Sequence, residues 1–273
     1  MCISARTPDW LESRFTPIDL PSVNGKAAML ERLDNKYVVD AAVLQAAVPQ
    51  LARAFDILEI DGRRAFTYET CYFDDPSLRS YFDHHQGRRR RAKVRMRRYI
   101  EAGLCFVEVK LKDKRGSTVK KRMPCDIENF GMLDEAALDH VREFYRELYD
   151  SEFPYALARS LDMRYVRMTL AAKEGGERMT IDNDLCFHAD GRTRALGDDL
   201  FIIETKSFNG NGIADRILRQ LHRHPTKHCS KYCAGIALTR EGMKHNKFRP
   251  VLEKFRRLSP SLEASHASGA LAA

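Results

Sequence analysis

Charged residues alternate with apolar residues in two of the most apolar segments of this chain. Glu108 and Lys110 lie in CFVEVKLK. Glu204 and Lys206 lie in LFIIETKSF. Because successive side chains of a β-strand point to opposite faces, each carboxylate would share a face with its lysine. Carboxylates bind hard divalent cations and ammonium groups bind phosphate oxygens, so both segments predict chemistry on an anionic, metal-associated substrate.

The same alternation occurs in four further segments. Their charged faces carry Arg32, Asp34 and Lys36; Arg95, Arg97 and Tyr99; Lys120 and Arg122; and Arg178, Thr180 and Asp182. A half-buried sheet with a solvated face explains one or two such strands. Six of them, with helices to cover the apolar faces, favour a closed sheet with a charged interior. So many like charges need a counter-anion, and polyphosphate fits arginine and lysine side chains. Glu108 and Glu204 are then candidate ligands for Mg²⁺ or Mn²⁺ together with substrate phosphates.

Eight segments have the composition and alternation of strands, and the turn sequences KDKRG and AAKEGG predict hairpins. The predicted strands are 29–39, 65–73, 91–100, 104–112, 117–123, 162–170, 177–187 and 199–208. Helical patterns lie between and after them, at 40–55, 75–87, 133–149, 212–224 and 245–258. Pro49 is expected to shorten or kink the first of these helices. The predicted fold is α+β, an eight-stranded antiparallel β-barrel with helices packed outside.

Composition indicates the class of molecule that this protein binds and the cellular compartment in which it works. The chain has 273 residues, with 46 Lys and Arg against 38 Asp and Glu, so a polyanionic partner is expected. No signal-peptide pattern and no apolar run of about 18 residues occur. The cysteine spacings are irregular and include no CxxC motif. These features predict a cytoplasmic protein with reduced thiols and no membrane segment in this chain.

A cluster of potential zinc ligands occurs in HRHPTKHCSKYC. It contains His222, His224, His228, Cys229 and Cys233. The spacing matches no common zinc finger, and basic residues are interspersed throughout the segment. A basic helix end followed by a loop is therefore the favoured interpretation, with zinc as the alternative.

Several segments together resemble the VTC domain, the polyphosphate polymerase module of the triphosphate tunnel metalloenzyme superfamily. They are ERLDNKYVV, TCYFDDPSLRSYF, KVRMRRY, FVEVKLK, TVKKRM, ERMTIDNDL, FIIETKS and SKYCAGIAL, in this order across 29–238. The resemblance implies an eight-stranded antiparallel tunnel, a divalent metal (Mn²⁺ or Mg²⁺), and transfer of the γ-phosphate of ATP onto a growing polyphosphate chain. We expect a helical lead-in at 1–28, the tunnel domain at 29–258 and a disordered Ser/Ala-rich tail at 259–273.

The resemblance also implies roles for individual residues. Matches to phosphate-contacting residues are Lys36, Arg95, Arg97, Lys110, Lys120, Arg167, Arg178 and Lys231, and Glu204 matches the metal-binding glutamate. By alternation, Arg32, Arg122 and Lys206 join the substrate-binding set and Glu108 joins the metal set. Hydrolytic tunnel enzymes carry ExExK on the first strand, where this chain has Arg32 and Asp34 before Lys36. This departure favours a polymerase over a hydrolase.

Three other functions stay open at this level. The tunnel could hydrolyse triphosphate or polyphosphate with water as the acceptor, or bind polyanions without turnover. The basic run GRRRRAKVRMRR could bind nucleic acid. Its second half falls on a predicted tunnel strand, however, which leaves 88–91 as a basic tunnel mouth. The predicted partners are therefore ATP and polyphosphate or triphosphate, with no nucleic acid, and the oligomeric state is open.

Overall fold

The computed structural model describes residues 8–26, 33–260 and 262. The strands are β1 (Thr16–Ile18), β2 (Leu33–Asp40), β3 (Phe55–Leu58), β4 (Ala65–Asp74), β5 (Ala92–Tyr99), β6 (Leu104–Lys112), β7 (Thr118–Cys125), β8 (Ala158–Ala172), β9 (Arg178–Ala189), β10 (Arg192–Ala195) and β11 (Leu200–Ser207). The α-helices are α1 (Asp9–Glu12), α2 (Leu20–Lys26), α3 (Ala41–Ala54), α4 (Arg79–Gln86), α5 (Glu135–Tyr149), α6 (Ile213–Gln220), α7 (Lys231–Thr239) and α8 (Arg249–Leu258). Short 3₁₀ turns occupy Ile127–Asn129 and Asn246–Phe248.

The strands form one large, mainly antiparallel sheet. Eight of them, corresponding to the eight predicted segments, follow the order β2-β11-β9-β8-β4-β5-β6-β7. The short strands β1, β3 and β10 pair beside this path, so the sheet has eleven strands rather than the predicted eight. The α+β class and the antiparallel sheet are confirmed. Closure into a barrel is wrong, because the described residues of β2 and β7 at the two ends of the path do not pair.

Strand chemistry and helix packing explain why the sheet stays open. On β7, Lys120, Lys121 and Arg122 are consecutive, and Pro124 has no N–H to donate, which is typical of an edge strand. On the other side of the sheet, Val38 and Ile202 have the parity of Lys36 and Glu204. One apolar cluster unites these two residues with side chains of α4, α7 and α8: Tyr81, Tyr232, Cys233, Ile236, Val251, Leu252 and Phe255. The face that carries Lys36, Glu108 and Glu204 is concave, since Glu204 on β11 acts on Lys110 of β6 although four strands lie between them in the sheet order. Helices cover part of this concave face, where the prediction placed all of them outside.

The opposite, convex face is apolar and packs against helices. Side chains of α3 and α6 form one cluster with β2, β8, β9 and β11. Those of α5 form another with β4, β5 and β6. Asp40 caps α3 as predicted, accepting a hydrogen bond from the backbone N–H of Val43. The prediction that Pro49 shortens α3 is wrong, since the helix continues past this residue to Ala54. The convex helices fix the strands so that the other face can carry charge.

Two expectations from composition can be compared with the structure. Free thiols occur at Cys71, Cys105, Cys125, Cys229 and Cys233. Cys186 is disulfide-bonded, so the expectation of reduced thiols is wrong at this position. Within the described ranges, none of the helices combines the length and apolar character of a membrane span.

Candidate functional site

Glu108, on β6, is a buried carboxylate of the concave face. Its Oε2 accepts a hydrogen bond from Arg95 Nε at 2.7 Å, and its Oε1 accepts one from Lys120 Nζ at 3.1 Å. Arg97 Nη1 lies 3.9 Å from Oε2, and the side chain of Glu108 is only 1% exposed. Burial raises the pKa of Glu108, but the charges of Arg95, Arg97 and Lys120 outweigh burial and bring the pKa well below its usual value. Glu108 is thus an ionised anchor for three cations.

A second carboxylate, Glu204 on β11, has lysines as its partners. Lys36 Nζ lies 3.5 Å from Oε2 and Lys206 Nζ lies 3.0 Å from Oε1. The side chain is 16% exposed, which makes it more accessible than Glu108. Burial raises the pKa of Glu204, whereas the charges of Lys36, Lys206, Arg167 and Lys110 bring it well below its usual value.

Lys110 links these two groups. The charge of Arg95 and burial bring the pKa of Lys110 well below its usual value, and the charges of Glu204 and Glu108 oppose this shift. Both carboxylates therefore act on the same ammonium group, which places Lys110 between them. The predicted phosphate-binding and metal-binding residues of β2, β5, β6, β7 and β11 form one continuous region.

A third carboxylate, Asp182 on β9, anchors two predicted phosphate ligands. It faces Arg167 in register and accepts two hydrogen bonds from this guanidinium, at 2.6 and 2.7 Å. It also accepts one from Lys231 Nζ, on the first residue of α7, at 2.5 Å. Asp182 is fully buried. Alternation places Asp182 on the charged face. Its role as an anchor follows only from the strand register, which pairs it with Arg167.

Tyrosines that were not predicted as site residues hold the arginines in place. The guanidinium of Arg97 lies 5.4 Å from the ring centroid of Tyr68 and 5.8 Å from that of Tyr165. Arg167 lies over the same two rings, at 5.1 and 5.2 Å. Arg95 Nη1 donates to the Tyr72 hydroxyl at 3.2 Å. Tyr68, Thr70 and Tyr72 have the same parity on β4 and so share one face, which is the signal that could have identified the two tyrosines.

Lys93 is a further cation of this face that was not predicted from the sequence. It has the parity of Arg95 and Arg97 on β5, and its Nζ donates to the Ser230 hydroxyl at 3.0 Å. Burial lowers its pKa, and the charge of Lys36 lowers it further. The β5 strand therefore contributes a row of cations to this face.

Two further predicted residues, Arg122 and Arg178, lie opposite residues of this region. Arg122 faces Glu108 in register, is exposed, and stacks over the ring of Phe106 at 4.7 Å. Arg178 faces Lys206 in register. Arg32 lies outside the described residues. The substrate-binding roles of Arg32, Arg122 and Arg178 therefore stay predictions.

The donor set fits a hard divalent cation at Glu204 better than at Glu108. All Glu108 oxygens already accept hydrogen bonds from arginine or lysine. Thr180 faces Glu204 in register, and its buried hydroxyl has no hydrogen-bond partner within the described part of the chain. No three His, Cys, Asp or Glu side chains of the described residues form a metal-binding group, including those of the His/Cys cluster. A cation at Glu204 would therefore need oxygens from a bound phosphate, as Mg²⁺ commonly does.

Several solved structures align with much of this chain at low sequence identity. They include a candidate adenylyl cyclase from Hippeastrum, described as having a dominant triphosphatase activity, with 13% identity, a TM-score of 0.49, and coverage of 80% of this chain and 100% of that one. Candidate adenylate cyclases from Bacillus halodurans and Vibrio parahaemolyticus each show 13% identity over 74% of this chain and 95% of theirs, with TM-scores of 0.46 and 0.42. No curated protein matches the chain.

The family comparison covers most of the chain. The model of the VTC domain matches residues 31–240, which include nearly all of the charged concave face. This protein belongs to the VTC domain family.

Proposed function

We propose that this protein is a metal-dependent phosphotransferase that moves the γ-phosphate of ATP onto a polyphosphate chain. The observation that supports this proposal most strongly is the excess of positive charge on the concave face. Nine cations share this region with three carboxylates: Lys36, Lys93, Arg95, Arg97, Lys110, Lys120, Arg167, Lys206 and Lys231, with Glu108, Asp182 and Glu204. Such a surface is stabilised by a ligand with several negative charges in a row. Membership of the VTC domain family supports the choice of polyphosphate.

Arg95 and Arg97 bind the triphosphate of the donor in this account. Each guanidinium can hold a phosphate through two parallel hydrogen bonds, and both are oriented before the ligand arrives, by Glu108 and by tyrosine rings. Lys110 is placed to contact the same phosphates. Positive neighbours and burial lower its pKa, and the negative charge of an arriving phosphate would oppose this shift.

Glu204 and Thr180 would hold the divalent metal, Mg²⁺ or Mn²⁺. When bound there, this ion supplies positive charge against the charge that develops on the phosphate oxygens during transfer. Glu108 has a different role in this proposal. Since its oxygens are occupied by Arg95 and Lys120, it positions these cations and does not bind the metal.

The protein mainly aligns donor and acceptor. The terminal phosphate of the polymer is already an oxyanion, so it attacks the γ-phosphorus of ATP in line without a strong general base. ADP leaves as the bond to the β-phosphate oxygen breaks. Positioning and neutralisation of charge then supply most of the rate, as in other phosphoryl transfers. Water as the acceptor would turn the same site into a triphosphatase.

A labelling experiment separates these reactions. Purified protein is incubated with γ-³²P-ATP and Mn²⁺ or Mg²⁺, and the products are resolved on a denaturing gel and by thin-layer chromatography. We expect a ladder of acid-labile polymer whose label is lost on mild acid treatment. Free phosphate without polymer would replace the proposal with hydrolysis, and intact ATP would leave a binding module. The Glu204→Gln variant, which lacks the carboxylate charge proposed to bind the metal, serves as the control.

A further inference from the structure

The row of cations on β5 continues beyond the concave face. Arg91 directly precedes β5 and has the parity of Lys93, Arg95 and Arg97, so the four side chains follow each other at about 6.6 Å. On β6, Lys110 faces Lys93 in register. The backbone N–H of Lys112 donates to the carbonyl oxygen of Arg91 at 3.3 Å, so the pairing of cations extends to the strand end.

This row leads to a small cleft on the surface. The cleft has a volume of about 270 Å³ and is lined by Arg89, Arg90, Lys112, Asp113, Lys114 and Tyr149. Its one carboxylate is held in a turn, because Asp113 Oδ1 accepts from the backbone N–H groups of Arg115 and Ser117 at 2.9 and 2.7 Å. The cleft therefore presents four cations against one carboxylate that is already engaged.

Arg91 connects the cleft to the interior. Its Nε is buried and has no hydrogen-bond partner within the described part of the chain. Burial lowers the pKa values of Lys93 and Lys112, and the charge of Arg91 lowers both further, so Arg91 lies close to each. A buried donor without an acceptor in a cationic passage indicates a place for an anion.

We propose that the cleft is a second polyanion-binding site, which takes the linear polyphosphate chain where it leaves the concave face. This assignment rests on the proposed function, since it names the same polymer. Single-stranded RNA is the competing occupant, and it is usually held by aromatic side chains that stack on the bases. The cleft offers no such platform, because Tyr149 is 4% exposed and the guanidinium of Arg90 lies 5.5 Å from its ring centroid.

Affinity as a function of ligand length tests the second site. The full chain and the variant Arg89→Ser/Arg90→Ser/Lys114→Ser are titrated with inorganic triphosphate and with long linear polyphosphate. We expect the parent to prefer the long chain, and the variant to bind it about tenfold more weakly while binding triphosphate as the parent does. The control Arg53→Ser/Arg63→Ser/Arg257→Ser removes the same charge from exposed positions elsewhere and should match the parent on both ligands.

Two results would overturn the second site. The cleft variant could bind long polyphosphate as tightly as the parent and the control do. Alternatively, a single-stranded RNA of equal charge could bind the parent more tightly than polyphosphate and lose affinity in the cleft variant, which would make RNA the occupant. Turnover is not needed for either titration. If the labelled-ATP assay yields no polymer but the length-dependent loss is seen, only the polymerase proposal fails.

Discussion

Glu108 and Glu204 have the same sequence signature, a glutamate two residues before a lysine on a strand, yet they differ in their surroundings. Glu108 is 1% exposed and is bound by Arg95 and Lys120. Glu204 is 16% exposed and is bound by two lysines, one of them at 3.5 Å. Guanidinium groups form rigid, directional contacts, whereas ammonium groups are point charges on flexible stems. The comparison shows that burial and the type of partner, and not the motif, separate an anchor from a carboxylate that can exchange its partners.

The largest expected effect concerns Glu108 as an anchor. Glu108→Gln leaves buried guanidinium groups without their counter-charge, so we expect a loss of about 3–5 kcal/mol in the free energy of unfolding. Triphosphate should restore more stability to this variant than to the parent, because it supplies the missing negative charge. Urea unfolding with and without triphosphate measures both effects.

Glu147→Gln is the control for this variant. Glu147 pairs with Lys121 on the surface and its side chain is 59% exposed, so the expected loss is below about 1 kcal/mol. Equal unfolding curves for the two variants would contradict the role of Glu108 as an anchor.

The second expected effect concerns Glu204 as the exchanging carboxylate. Glu204→Gln should lower metal-dependent turnover by about 100-fold or more, since it removes the charge that holds the cation. Its stability should stay within about 1 kcal/mol of the parent, because its lysine partners are partly exposed. The labelled-ATP assay across a Mn²⁺ titration measures the first quantity. Full activity at ordinary Mn²⁺ would show that Glu204 does not bind the metal.

The third expected effect separates the two faces of β5. Arg95→Lys keeps the charge but loses the two-pronged contact, so we expect about 100-fold lower turnover, and Arg97→Lys should behave similarly. Arg98 lies on the other face, where it pairs with Glu69 and stacks over the ring of Phe130 at 4.4 Å. Arg98→Lys should stay within about twofold of the parent. The idea fails if Arg98→Lys proves the most damaging of the three.

The smallest expected effect concerns His84, a partly buried histidine close to the cations of β5, and the pH dependence of stability. His84 Nδ1 donates to the Ser80 carbonyl oxygen at 2.8 Å, and burial with the charges of Lys93, Arg91 and Lys112 brings its pKa well below the usual value. The unfolded chain therefore binds a proton below about pH 6.5 that the folded protein does not bind, so stability falls as pH falls.

A glutamine at this position removes that proton while keeping a donor for Ser80. His84→Gln should lose about 1 kcal/mol less than the parent when the pH is lowered from about 7.5 to 5.5. Thermal melts at the two pH values provide the measurement. The control His188→Gln, at an exposed position, should follow the parent. If His84→Gln and the parent have the same pH dependence, the pKa of His84 is not lowered in the folded protein.

Much of the sheet could be predicted because alternation extends over eight or more residues in each main strand. The strands β1, β3 and β10 have only three or four residues, too few to show a period. Pro49 was expected to disturb α3, but helical packing of Leu44, Val48 and Leu51 into the core continues around it. Closure was predicted from the charged faces of the strands and from the resemblance to the VTC domain. The helices α7 and α8 cover part of the predicted interior instead, which no strand pattern reveals.

For the site, alternation identified the face but not the pairs across strands. It placed Arg95, Glu108 and Asp182 on the charged side, in agreement with the structure. Which residues meet depends on the register, and a register shift occurs between Arg164 and Val166, just before Arg167. Such irregularities are set by local backbone geometry and leave little trace in composition. The anchoring role of Asp182 therefore required the structure.

Crystals grown with Mn²⁺ and a non-hydrolysable ATP analogue test the central claim most directly, since anomalous scattering locates the metal. We expect the Mn²⁺ peak beside the Glu204 carboxylate, with phosphate oxygens completing its coordination and with Arg95 and Arg97 contacting the same phosphates. A Mn²⁺ peak on Glu108, or phosphates bound only outside the concave face, would contradict the account.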